Sequence, residues 1–213
     1  MKDDLDFLGE ARPRFAESKS LIERAIAQLD DAQFFATLDV ESNSVALIVK
    51  HLAGNMRSRW TDFLTTDGEK PDRHRDLEFI IDAADSRTSL LERLDEGWEL
   101  VFGVIDELST DDLTRTITIR SEPHTVLGAI CRQLTHYAYH AGQIVFLAKH
   151  MRSSSWQTLS VARGQSEVFT ASGYGATSAD GTGAGRRRMR EGLTVQHVGR
   201  ALARLGLTVL EES

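Results

Sequence analysis

Apolar residues recur along most of this chain at three- and four-residue steps, the pattern of amphipathic helices packed through one face. The first such stretch spans 4–29, with Phe15, Ile22, Ala25, Ile26 and Leu29 on one side. Pro13 falls inside it and marks a kink or the true helix start. The second follows 39–43, where Ser42 or Asn43 is the expected N-cap, and covers 44–64. TTDGEKPDRHRD then has turn chemistry throughout and reads as a loop. A third stretch covers 86–108, with Leu90, Leu91, Leu94, Trp98, Val101 and Ile105 as its apolar stripe. TRTITIR at 114–120 alternates with β-branched residues and predicts a short strand, SEPHT a turn, and 126–151 a last long helix. The expected fold is all-α: a four-helix bundle with a short β excursion before the fourth helix.

Beyond Met151 the pattern changes. SSSWQTLSVARGQSEVF reads as an ordered extension that packs back on the bundle through Trp156, Leu159 and Phe169. The expected layout is a bundle domain over 1–170, a Gly/Ser-rich linker over 171–192 and an appendage over 193–213. The appendage carries Val195, Val198, Leu202 and Leu205 on one side of a possible short helix, and its His197 carries no argument.

Two helical faces depart from simple amphipathicity. In QLTHYAYHAGQIVF, His136 and His140 stand four residues apart, about 40° on the helical wheel and one turn along the axis. Gln133 and Gln143 extend this into a polar stripe on an otherwise apolar helix. In SVALIVKHLAGNMRSRW, Ser44, His51, Asn55 and Ser58 form a second stripe. Burying such stripes is costly unless every group finds a partner or a ligand. If the faces meet, His51, His136 and His140 can hold one divalent ion and leave positions open for water or substrate. Three buried histidines hydrogen-bonded to backbone and glutamine remain the alternative. Asn55 and Gln143 are candidates to orient a ligand histidine or a bound water, with ordinary interhelical hydrogen bonds as the competing role.

Other candidates fall away or stay secondary. Cys131 is about 140° from His136 on the wheel and reads as a small core residue. His150 shares the angle of His136 but lies about 21 Å along the axis. His74 and His124 fall in predicted loops, as exposed or capping residues. Lys50, Arg57 and Arg59 can attract an anionic substrate or can be solvated surface charge. Trp60 is expected in packing, and Tyr137 and Tyr139 in the core or a dimer contact. No GxSxG, P-loop or strand-borne GxGxxG appears in the bundle region, so no catalytic residue is named.

Composition narrows the function classes. Hydrophobic residues make up 41% of 213 and charged residues 27%, enough for a sizeable core. The net charge of −7 argues against a general affinity for nucleic acid. One cysteine rules out a disulfide framework and fits a reducing cytoplasm. MKDDLDFLGEARPRF lacks the apolar core of a signal peptide, and no apolar run is long enough for a membrane span.

ESNSVALIVKHLAGNMRSRWTDFLTTDGEKP, the HYAYHAGQIVFLAKH helix and WQTLSVARGQSEVF together resemble the DinB/YfiT-like superfamily, and within it the DUF1572 group. The resemblance covers about the first 170 residues. It implies an up-down-down-up four-helix bundle, a three-histidine site for zinc or nickel (iron and manganese being further candidates) and a homodimer. Characterised relatives include thiol-dependent transferases and an isomerase that use bacillithiol, mycothiol or glutathione. The implied function is a metal-dependent enzyme, a thiol-dependent transferase or a hydrolase acting on a small molecule. The alternative is a non-catalytic, dimeric metal-binding module. The Gly-rich linker and RRRMR segment depart from the family pattern.

Overall fold

The computed structural model describes residues 6–171. Four long helices form the core bundle: α1 (Phe7–Ile26), α3 (Val45–Trp60), α4 (Arg87–Glu107) and α5 (Val126–Arg152). A short helix, α2 (Asp31–Phe35), follows α1, and an antiparallel hairpin of β1 (Thr116–Ile119) and β2 (Glu122–Thr125) precedes α5. Single 3-10 turns occupy Arg75–Phe79, Thr110–Thr114 and Ser153–Ser155. The bundle unit ends at Ser166; from Glu167 the chain belongs to a second unit, of which 167–171 are described within the short helix α6 (Ser166–Ala171). The expected linker and appendage lie outside the described residues, apart from residue 171. No helix among the described residues is long and apolar enough to cross a membrane.

Local chemistry sets the helix ends. Side-chain caps come from Asp6 for α1, Ser44 for α3, Ser86 for α4 and Thr125 for α5. Ser42, an expected cap, instead closes a local turn, its N–H and hydroxyl both donating to the Asp39 carboxylate. α3 stops at Trp60, short of Leu64, and Asp62 then takes a left-handed φ of 48°. Pro13 sits within α1 rather than at its start, and Leu29 joins the core from beyond the helix end. Asp30 and Gln33 form a reciprocal capping box that starts α2, a helix too short for periodicity to reveal.

The hairpin corrects the expected turn. SEPHT is mostly strand: Thr118 pairs with Pro123 and Ile119 with Glu122. The turn residues are Arg120 and Ser121, at φ 56° and 62°. Such a pair normally calls for Asn or Gly. Here Asp67 supplies the compensation from the preceding loop, its carboxylate accepting the N–H groups of both residues at 2.8 and 2.7 Å. Pro123 is tolerated because a two-stranded sheet has only edges.

An aromatic cluster joins all four core helices. Phe15 of α1 meets Trp60 of α3 edge-on at 5.7 Å, and Trp98 of α4 meets Tyr137 of α5 at 5.5 Å. Each such pair contributes about 0.5–1.5 kcal/mol beyond its burial. The Trp60 indole N–H donates to the Tyr137 hydroxyl at 2.8 Å, which donates to Asn55 Oδ1 at 3.3 Å. α4 approaches α3 closely at Gly97, where a Cβ would fall 2.9 Å from the Met56 Cβ. Trp156 and Leu159 pack on this core, as expected; Phe169 belongs to the second unit. The aromatic layer fixes α3 against α5, and with it the register of the polar residues on the facing stripes.

Candidate metal centre

The two polar stripes meet. His51 Nε2 lies 3.3 Å from His136 Nε2, which lies 3.0 Å from His140 Nε2. One nitrogen from each of the three residues lies within 4.8 Å of the others. Two nitrogens bound to one tetrahedral zinc at about 2.05 Å stand about 3.3 Å apart, so the spacing suits a single ion.

The partners of the outer ring nitrogens determine what the inner ones present. His51 Nδ1 is 2.7 Å from the Glu78 carboxylate, and His140 Nδ1 is 2.7 Å from Gln143 Oε1. Both partners are acceptors, so both Nδ1 atoms carry the proton. In the neutral rings each Nε2 is then a lone pair, and both are aimed at His136 Nε2. One N–H on His136 can satisfy only one of them. A cation in the middle satisfies all three rings at once, which hydrogen bonding among the histidines alone cannot do.

Electrostatics keep two of these rings neutral. Burial, then the nearby His140 and His51 rings and the positive Arg73 and Arg132, lowers the pKa of His136 to about 3. Burial lowers His140 to about 4, partly opposed by its bond to Gln143 and reinforced by His51. Neutral imidazole is the form that ligates a metal.

Glu78 lies two residues beyond the TTDGEKPDRHRD loop, in a stretch before the third helix where the hydrophobic pattern predicts no element. Its 3-10 turn lays the carboxylate against α3, where Arg73 Nε and Nη2 grip it at 2.7 and 2.9 Å. Burial raises the Glu78 pKa, but the bonds to His51 and Arg73 outweigh it and hold the carboxyl below its ordinary value. Phe79 stacks on the His51 ring at 5.1 Å, fixing its plane. Gly54 makes the approach possible, since a Cβ there would fall 2.8 Å from the Glu78 carboxyl carbon. A glycine inside a helix was the one trace of this contact in the sequence.

The remaining candidates disperse. Asn55 lines the same hollow as His51 and His136, but its amide oxygen accepts from Tyr137 rather than orienting a histidine. Ser58 bonds to the backbone of the following loop through Gly68 O and Lys70 N. Cys131 is exposed rather than a core residue, because Ile130 and Gln133 take the inward positions. His150 is exposed near the end of α5, His74 is exposed ahead of its 3-10 turn, and His124 lies in β2 rather than in a loop. Tyr137 is fully buried and Tyr139 exposed. Arg57 is exposed and paired with Asp72. Arg59 and Lys50 are not solvated surface charge: Arg59 is 4% exposed and paired with Glu69, and Lys50 is held by Asp85.

A cavity of about 530 Å³ opens beside His51 and His136, with Gln133, Tyr139 and five arginines in its wall. A larger hollow of about 800 Å³ between the end of α3 and α4 is lined by apolar and acidic residues, with no histidine, arginine or lysine. Of these two, only the smaller reaches the histidine cluster.

These features define an all-α bundle protein with a three-histidine cluster able to hold a metal ion. Residues 3–165 match the family model described as a protein of unknown function (DUF1572), and the chain belongs to that family. A search among curated proteins finds no match.

Proposed function

We propose that the protein is a divalent-metal-dependent enzyme in which His51, His136 and His140 hold one zinc or nickel ion, acting as a thiol-dependent transferase or a hydrolase on a small molecule. The observation that carries this reading is the convergence of Nε2 lone pairs, enforced by Glu78 and Gln143 on the outer nitrogens. An ion bound there supplies Lewis acidity that lowers the pKa of a coordinated thiol or water. Glu78 keeps the proton on His51 Nδ1, and Gln143, itself donating to the Tyr139 hydroxyl, does the same for His140. Asn55, at the cavity wall, is placed to position a water or substrate group. The reading includes a cytoplasmic setting, where low-molecular-weight thiols are reduced, and a bundle domain over 1–170 with a DinB-like up-down-down-up order.

A non-catalytic, dimeric metal-binding module is the second reading. Its support is the outward face of α5, where Leu127, Tyr139 and Phe146 are 40%, 60% and 65% exposed. A homodimer through this face is compatible with either function, so turnover decides between them.

The test uses full-length protein purified without added metal. Stoichiometric zinc or nickel in the wild type, absent from His136→Ala, supports the site. Near-zero zinc, nickel, iron and manganese in both proteins overturns it. A panel of bacillithiol, mycothiol and glutathione with epoxide and other electrophilic substrates then tests catalysis. Turnover that disappears in His51→Ala supports the enzyme, and a metal-loaded protein silent across the panel and towards hydrolysable esters and amides favours the module.

A further inference from the structure

The cavity beside the histidines concentrates positive charge in a chain whose net charge is −7. Arg59, Arg73, Arg75, Arg120 and Arg132 all line it, and no carboxylate does. Two carboxylates behind the wall take up part of this charge. Glu69 accepts from Arg59 and Arg120 and lies 3.4 Å from Arg73, while Glu78 is gripped by Arg73. Arg75 stands 4.0 Å from Asp76, whose side chain is fully exposed, a contact of little strength in water. Arg132 has no carboxylate partner among the described residues. Even with Asp76 counted, five guanidinium groups face three carboxylates.

The wall also holds buried polar atoms with no partner. Arg59 Nε and Gln133 Oε1 are both buried and unpaired, in residues 4% and 2% exposed. An unmet donor and an unmet acceptor in one wall are costly unless a ligand or water meets them. Guanidinium groups match carboxylate and phosphate oxygens through paired N–H donors. A cation held by three neutral imidazoles adds further positive charge at the floor of the same hollow.

We propose that this cavity binds the oxyanion group of a small substrate, a carboxylate or a phosphate, with Arg132 and Arg120 as its principal holders, while Gln133 Oε1, an acceptor, meets a hydroxyl or N–H donor on the same substrate rather than the anion itself. The proposal rests on the metal-centre reading for the fate of the substrate, but not for its binding. Arg132 holds the anion over His136 on the same helix, one turn away, so that the rest of the substrate extends toward the three Nε2 atoms. Arg73 and Arg59, themselves in the wall, are tied to Glu78 and Glu69 behind it and keep the wall rigid. The volume suits a metabolite rather than a polymer.

The test is calorimetric titration of full-length protein, metal-free and zinc-loaded, with inorganic phosphate and with succinate. Saturable binding of at least one anion is expected, weakening steeply with added salt. Arg132→Ala should weaken it about tenfold or more, with zinc stoichiometry unchanged, and Arg120→Ala should weaken it less. Arg12→Ala, whose partner Asp106 lies outside the cavity, should leave it unaltered. Binding of succinate but not phosphate, or the reverse, identifies which oxyanion the wall fits. No saturable binding by either form, or binding equal in wild type and Arg132→Ala, overturns the proposal. Anion binding that persists in a protein unable to retain metal overturns the metal centre and leaves the anion site standing, so the two failures are distinct.

Discussion

Lys50 and His51 are neighbours on α3 and enter two polar clusters of opposite design. Around Lys50 every charge is answered: its ammonium meets Asp85 at 2.5 Å and Asp82 at 3.2 Å, and Arg93 of α4 takes the other Asp85 oxygen at 2.5 Å. Asp85 also accepts the Asp82 N–H. This closed staple ties α3, the connecting segment and α4 together. Around His51 the outer ring of contacts is just as ordered, yet three nitrogens converge with no mutual solution and an arginine-rich wall stands partly unpaired. A polar cluster that exists for the fold closes on itself, whereas one that exists for a ligand is rigid on the outside and unsatisfied within.

Breaking each cluster in turn should separate metal from stability. The largest expected effect is loss of bound metal in His136→Ala, from one ion per chain to near none, read by elemental analysis of dialysed protein. Its unfolding free energy, measured metal-free, should change little. Asp85→Ala should do the reverse. It leaves Lys50 as a nearly buried cation without its main partner, at a cost of about 3 kcal/mol in urea unfolding, while metal stoichiometry stays at wild type. If Asp85→Ala lost the metal and kept its stability, the two clusters would not be independent and the contrast would fail.

The long helices and the histidine stripes were legible because both are periodic. Angular counting placed His136 and His140 on one face and removed His150, and the same counting put His51 on a matching face of α3. What was not legible lies in contacts between distant segments. Glu78 comes 27 residues after its partner His51, on a turn without periodicity. Arg59 looks like surface charge by composition, and only Glu69 and the backbone oxygen of Gly68, across a loop, explain its burial. The hairpin turn was misplaced because the residues that stabilise it are not in the turn: Asp67 holds Arg120 and Ser121 from over fifty positions away. Cys131 was misjudged because wheel angle excludes a ligand but does not say which flank faces water.

A subtler probe sharpens the comparison from within the histidine cluster. Glu78→Gln keeps the shape of the side chain but removes its charge and weakens its hold on the His51 Nδ1 proton. Metal affinity should fall about 10–100-fold, as for other groups that orient a ligand histidine, with one ion per chain still bound at saturation. Competition with a chelator of known strength reads this directly. Gly54→Ala should shift affinity in the same direction by pushing Glu78 away. Unchanged affinity in both variants would mean that Glu78 serves Arg73 and the loop rather than the ligand.

The smallest effect tests the closed cluster by acid. Burial raises the pKa of Asp85, but the Lys50 ammonium, the Asp82 N–H and Arg93 outweigh it and bring it to about 2, from an ordinary 3.8. A carboxyl with a depressed folded-state pKa stabilises the fold at pH above its unfolded value, and that contribution is lost as pH falls through the folded one. The window therefore runs from about pH 4 down to about pH 2, and the contribution is about 2 kcal/mol. Other groups titrate in acid as well, so the wild type must be compared with Asp85→Asn, in which this titration is absent. The stability gap between the two should be constant from pH 7 to pH 5 and narrow steadily below pH 4. A gap that stayed constant down to pH 3 would show that Asp85 holds the staple through geometry that its neutral form supplies equally well. The Lys50 cluster would then be a hydrogen-bonded joint rather than an ionic one.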